Sequence, residues 1–215
     1  MKRYAILPVL LVAASVLSSA QVVRGWGIEG GLAGGYQLLS VTLGTNSPVV
    51  PRVPRWGFTA GAFIEFLNTP NLSFVVESAY SQKGRDVTAE EVSIAAGLPG
   101  ALSPGPVGSA PRLDYVRLTM LVKVRFWKEG FVPYFGLGPR FDFLVGKRDG
   151  PVHVFDQVKK TDVGVSVTGG IEITPKRRPL ASIEARWSPA FTRVVTAPTL
   201  TVRNQAIEFL LAIWL

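Results

Sequence analysis

The chain has no cysteine among its 215 residues, so neither a disulfide framework nor a thiolate metal centre is open to it. Histidine is nearly as scarce. His153 stands alone, which excludes a multi-histidine metal site. Beyond the first 20 residues there is no long apolar run. A helix crossing a bilayer needs about 20 consecutive apolar residues, so the remainder of the chain cannot span as a helix. Acid is also in deficit, with 15 Asp and Glu against 23 Lys and Arg. An excess of base can serve a nucleic-acid partner. Here the charges are scattered and no element interleaves them with aromatics, so no nucleic-acid partner is expected.

What is present is apolar character without a run. Hydrophobic residues make up 47% of the chain, and a membrane protein of this composition spans as strands, whose mark is alternation. The N-terminus has the form of an export signal, with Lys2 and Arg3 ahead of an apolar core from Ile6 to Leu17. Small residues follow at Ser18, Ser19 and Ala20. The core is too short for an anchor helix. Residues 1–20 are therefore expected to be a signal peptide, with Gln21 as the mature start and 21–215 as one barrel domain.

Eight segments of the mature chain alternate with period 2. The last is the clearest: Ile207, Phe209, Leu211, Ile213 and Leu215 lie on one face, Ala206, Glu208, Leu210, Ala212 and Trp214 on the other. In LDYVRLTMLVKVRF, Val116 to Phe126 in steps of two oppose Arg117, Thr119, Lys123 and Arg125. The same rule orders GWGIEGGLAGGYQL, RWGFTAGAFIEF, LSFVVESAYS, VPYFGLGPRFDFLV, TDVGVSVTGGIEI and LASIEARWS. These segments run roughly 9 to 14 residues, the length of a tilted membrane crossing of about 9 to 11. An even count lets the sheet close on itself and removes both edges.

The connections alternate in length. Residues 68–71, 127–130 and 175–178 are short turns, whereas 40–54, 85–112, 146–160 and 189–203 are long and rich in Pro and Gly. Short turns at one end and long loops at the other fit an outer-membrane barrel, with both termini on the short-turn, periplasmic side. The fold class read from this is all-β: an eight-stranded antiparallel up-and-down transmembrane β-barrel in the cell outer membrane.

The two faces differ in charge. The apolar face carries almost none. The other carries Glu29, Glu65, Glu77, Arg117, Lys123, Arg125, Arg140, Asp142, Glu172, Glu184, Arg186 and Glu208, seven acids and five bases that nearly cancel. In a membrane these twelve are expected to form an ion-pair network in the lumen, since a lone buried charge is very costly. Aromatics near strand ends (Trp26, Tyr36, Trp56, Phe66, Tyr80, Phe126, Trp187) suit interfacial girdles. A soluble ligand-binding barrel with its charges in water is the rival reading. Eight strands enclose a lumen that side chains can fill. Inward Gly57, Gly61, Gly136, Gly138, Gly164 and Gly170 leave room for the longer chains opposite, and a wide pore is not expected.

In order along residues 25 to 215, the segments RWGFTAGAFIEF, LSFVVESAYSQKG, LDYVRLTMLVKVRF, PYFGLGPRFDFLVG, VSVTGGIEI, SIEARWSPAFT and IEFLLAIWL resemble the outer-membrane β-barrel domain family of Bacteroidetes-type bacteria, which includes PorT-like proteins. The most specific pieces are ESAYSQKG, with Glu77, Tyr80 and Gly84, and the Asp114-Tyr115 strand. The resemblance implies an eight-stranded outer-membrane barrel, usually without an assigned activity. Such barrels often finish with Phe as part of the assembly-machinery signal; this chain finishes with Leu215.

Candidate chemistry reduces to plainer readings. Gly25, Gly27 and Gly30 match a dinucleotide-loop spacing, but more strand follows where a helix is required. His153 and Asp156 with Ser166 or Ser182 would need neighbouring positions near the lipid boundary to act as a lipid hydrolase. Asp142, Glu172, Glu184 and Glu208 could cage a metal, yet Arg140 and Arg186 lie two residues from two of them, which favours ion pairing. Thr88 to Leu98 could form a short helix in the longest loop, and Lys176, Arg177 and Arg178 make a basic turn. The expectation is a non-enzymatic barrel without cofactor, acting as scaffold, surface-loop binder or secretion and assembly component. A narrow channel and a lipid-modifying enzyme are the alternatives. Expected partners are outer-membrane lipids, the barrel assembly machinery and secretion or periplasmic proteins.

Overall fold

A computed structural model describes residues 23–41, 55–67, 69–84, 112–126, 130–148, 159–175, 178–192, 195–197 and 200–215. Its strands are β1 (Val23–Val41), β2 (Arg55–Phe66), β3 (Leu72–Gly84), β4 (Arg112–Arg125), β5 (Gly130–Arg148), β6 (Thr161–Thr174), β7 (Ala181–Pro189), β8 (Val195–Ala197) and β9 (Leu200–Trp214). They form one antiparallel sheet ordered β1-β2-β3-β4-β5-β6-β7-β9-β8. β1 also pairs with β9, from Gly27 opposite Trp214 to Val41 opposite Leu200. That pairing closes a cylinder of eight strands and leaves no open edge along its wall. The three-residue β8 pairs with the start of β9, Val195 opposite Val202, on the edge of β9 that β7 occupies further along.

Several strands outrun the alternating segments. β1 and β5 are 19 residues long and β9 is 15. Residues 40–41, 146–148 and 200–203, together with β8, thus belong to the sheet although their composition reads as loop. Backbone pairing needs no apolar alternation, and beyond the wall's apolar band alternation has no lipid to respond to. At the other end the turns are tight. Leu67 adopts φ 65° and Gly130 φ 81°, and Thr69 N donates to Leu67 O at 2.8 Å.

Side chains sort by face as the period-2 geometry of a strand requires. Outward residues are apolar and open: Trp26, Ile28, Phe58, Leu137, Phe143, Ile183, Phe209 and Leu211 are all exposed. Inward residues are mostly polar and buried, with Glu65, Arg117, Arg140, Glu172 and Glu208 each at 0% exposure. A water-soluble barrel would carry the opposite arrangement.

Proline and glycine tune the wall. Pro139 lacks a donor, and it falls where the β4–β5 ladder skips from Thr119–Arg140 to Val122–Leu137. Gly170 faces inward beside Tyr134; a Cβ there would come within 2.6 Å of the phenol oxygen. Its absence of side chain lets that ring lie across the lumen.

Candidate functional site

The lumen is filled in layers. At the turn side, Arg24, Lys123 and Arg125 converge on Glu65 and Glu172. Arg24 lies 3.1 Å from Glu65 and 3.7 Å from Glu172. Lys123 lies 2.5 Å and Arg125 2.9 Å from Glu172, and Arg125 also pairs with Glu65. Ser73 Oγ donates to Glu65 at 2.6 Å. The Lys123 ammonium sits 3.8 Å from the centre of the Tyr134 ring and 5.3 Å from that of Trp214, a placement the ring quadrupole favours. Above lies a small apolar seam of Phe63, Val75, Leu121 and Ala212, against which Trp214 packs.

The middle layer holds Arg117 and Arg186 among four acids. Arg186 lies 2.6 Å from Glu77, 2.6 Å from Glu184 and 3.8 Å from Glu29. Arg117 pairs with Glu208 and lies 3.9 Å from Glu29. Tyr134 Oη donates to Glu184 at 2.7 Å. The Arg117–Glu208 pair joins β4 to β9 and the Arg186–Glu77 pair joins β7 to β3. In an eight-stranded cylinder these partners face each other across the lumen, so the pairs form chords through it.

Toward the loops, Lys83 and Arg140 lie 2.6 Å and 2.9 Å from Asp142. Arg140 Nη1 also donates to Ser188 O at 2.6 Å. Asn204 Nδ2 donates to Asp162 at 3.1 Å and to Tyr115 Oη at 3.2 Å. Leu113 and Tyr115, with Leu144 against them, make an apolar cap.

All twelve charged residues assigned from alternation have an ion-pair partner here. Eleven are buried; the Glu184 side chain keeps 11% exposure. Three further charges belong to the same network. Lys83 continues the alternation of its strand by one step beyond LSFVVESAYS, and Asp162 holds the inward place before Gly164 within TDVGVSVTGGIEI. Arg24 could not be found that way. The register slips between Val23 and Gly25, so Arg24 is the extra residue of a bulge. A bulge reverses the facing of what precedes it, and strict alternation would have sent Arg24 outward.

The four acids considered as a metal cage are spread over all three layers, each beside a base. Among the described residues no group of three or more Asp, Glu, His or Cys is placed to hold a metal. Gly25 to Gly30 lie within β1. Ser182 is buried in the lumen, and Ser166 shares a 3.0 Å hydrogen bond with Ser188. Residues 1–20, Thr88 to Leu98, His153, Asp156, Lys176 and Arg177 lie outside the described residues; Arg178 is exposed at the turn side.

The sequence model of the outer membrane protein beta-barrel domain family matches residues 18–195. The chain belongs to that family. A solved structure agrees on architecture, and others are similar. The outer membrane protein OprG from Pseudomonas aeruginosa is 11% identical, with a TM-score of 0.50 over 91% of this chain and 95% of that one. Neisserial surface protein A is 13% identical, TM-score 0.44, covering 90% and 99%. AlkL, solved in DMPC lipid bilayers, is 13% identical, TM-score 0.43, covering 91% and 90%. No curated protein matches the chain. The protein is thus an outer membrane β-barrel, its open apolar face turned to hydrocarbon and its charges turned inward.

Proposed function

We propose that this barrel is non-enzymatic and acts as a rigid scaffold that presents its long loops for binding at the cell surface. The observation that carries the reading is the occluded lumen. Two chords, Arg117–Glu208 and Arg186–Glu77, cross its middle. Beside them lies a cavity of only about 20 Å³, lined by Glu29, Phe63, Lys123, Tyr134, Glu184 and Trp214. That is room for about one water molecule. Desolvated ion pairs are expensive to open one at a time, so the plug is a fixed part of the wall. Ser166 and Ser182 face this plug rather than the lipid boundary, which argues against a lipid-hydrolase reading. Outer-membrane lipids and the barrel assembly machinery are its general partners.

The experiment is planar-bilayer recording of the refolded protein. The scaffold reading expects no steps of porin size; large, regular steps sink it. A narrow water or ion path is the second reading. It is favoured by Thr119 Oγ1 and Arg117 Nε, buried polar atoms in mid-lumen without a hydrogen-bond partner among the described residues. Small steps abolished by Arg117→Met would select it. The resemblance to PorT-like barrels extends the scaffold reading to a component of a secretion system, and a deletion strain that secretes normally would remove that extension.

A further inference from the structure

The loop-side rim of the cylinder is basic on one side. On β4, β5 and the approach to β6 stand Arg112, Lys147, Arg148, Lys159 and Lys160; among the described residues beside them Asp114 is the one acid on the outer face, Asp162 being buried in the lumen. Counting Asp149 and Asp156 from the connecting sequence leaves base in excess.

Two of these cations are aimed together. Leu113 and Tyr115 point into the lumen at 0% exposure, so Arg112 and Asp114 lie on the outer face. On β5 the register slips: Tyr115 pairs with Leu144, but Asp114 pairs with Gly146. Val145 is the extra residue, a bulge of the kind that re-aims side chains at barrel rims. Without it Arg148 would face the lumen. With it Arg148 comes opposite Arg112 on the outside. Like charges directly opposite each other across a ladder are unfavourable. Asp114 answers one of them, accepting from Arg112 Nε at 2.7 Å and Nη2 at 2.8 Å. Gly146 adds no side chain over that carboxylate; a Cβ there would lie 3.2 Å from Asp114 Oδ2. Two guanidiniums stand together in an open place, and the one carboxylate beside them is engaged by Arg112. Directly below, Val116 and Phe143 pair across the strands and, with Val145, begin the exposed apolar face.

A cationic fork above an apolar wall matches an anionic headgroup above acyl chains. We propose that this rim docks a phosphorylated glycolipid of the outer leaflet, its phosphate held between Arg112 and Arg148 and its chains lying on Val116, Phe143 and Val145. Guanidinium forks suit phosphate oxygens, and among the described residues no ion-pair partner engages Arg148.

The test is native mass spectrometry of the protein purified from membranes into detergent micelles, titrated with diphosphoryl lipid A. Arg112→Gln with Arg148→Gln is expected to weaken binding roughly twenty- to thirtyfold, from the typical contribution of a basic residue at a charged lipid surface. Arg178→Gln with Arg203→Gln removes the same charge elsewhere and is expected to change binding by less than about twofold, these residues lying beyond the reach of a contact at β4–β5. Heat-modifiable gel mobility reports folding. Should the first pair fail to fold, Arg148→Gln alone leaves the Arg112–Asp114 fork intact and carries an expected loss of about fivefold. Fully dephosphorylated lipid A is expected to bind the unaltered protein as weakly as diphosphoryl lipid A binds the double variant. Unchanged binding by that variant, equal loss in the control pair, or equal binding of the dephosphorylated lipid overturns the proposal. Displacement by millimolar inorganic phosphate overturns it too, by assigning the site to the free anion.

Discussion

At the turn side of the lumen three bases, Arg24, Lys123 and Arg125, meet two acids, Glu65 and Glu172; one layer up, two arginines meet Glu29, Glu77, Glu184 and Glu208. In each layer the scarcer sign is the hub. Glu172 is shared by Arg24, Lys123 and Arg125, whereas Arg186 is shared by Glu29, Glu77 and Glu184. The near cancellation of charge over the whole lumen hides this local imbalance. Removing a hub strands several charges of one sign. Removing a member of the majority relieves repulsion among those that stay.

The largest effect is expected at the middle hub. Arg186→Met should destabilise the folded barrel by about 3–5 kcal/mol, the typical cost of breaking a buried pair by deleting one partner. Urea unfolding in lipid vesicles, followed by tryptophan fluorescence, measures it. A loss under about 1 kcal/mol, within the range of exposed pairs, would show that Glu77 and Glu184 do not depend on Arg186. The turn-side hub comes next. Glu172→Gln keeps the side-chain volume and strands bases whose layer lies close to the open end, where Arg24 and Lys123 each retain 7% exposure. The expected loss is about 2–3 kcal/mol, the upper range for hydrogen bonds to charged groups. If Glu172→Gln costs more than Arg186→Met, depth in the lumen does not set the cost of losing a hub.

Much of this architecture is legible in the residues. Ile207, Phe209, Leu211 and Ile213 against Ala206, Glu208, Leu210 and Ala212 assign both faces of the closing strand, because a one-residue slip would turn every charge into lipid. What alternation cannot supply is the meeting of strands far apart in sequence. Arg117 and Glu208 are 91 residues apart and Arg186 and Glu77 are 109 apart; closure of the cylinder makes them partners. Nor can it register a bulge. The slip before Gly25 brings Arg24 inside and the slip at Val145 turns Arg148 outside. Both places break the period that made the rest readable, and both sit where charge matters. β8 is a different case: three residues are too few to carry a two-faced pattern.

The smallest effect tests the comparison most sharply. Glu29 belongs to the majority sign of the middle layer, and its contacts with Arg117 and Arg186, at 3.9 Å and 3.8 Å, are the loosest there. Among the described residues its Oε1 has no hydrogen-bond partner. Glu29→Gln removes one of four mutually repelling carboxylates and keeps an acceptor and the packing. Replacing a poorly paired buried charge by a neutral group of similar shape is often neutral or stabilising. The expected change is within about 1 kcal/mol and toward greater stability. The same unfolding assay reads it, with the Arg186→Met background as the control. In that background the substitution should recover part of the loss, since one fewer stranded acid remains. If Glu29→Gln instead destabilises by as much as Arg186→Met, Glu29 is itself a hub, and the layer is held by its acids rather than by its two arginines.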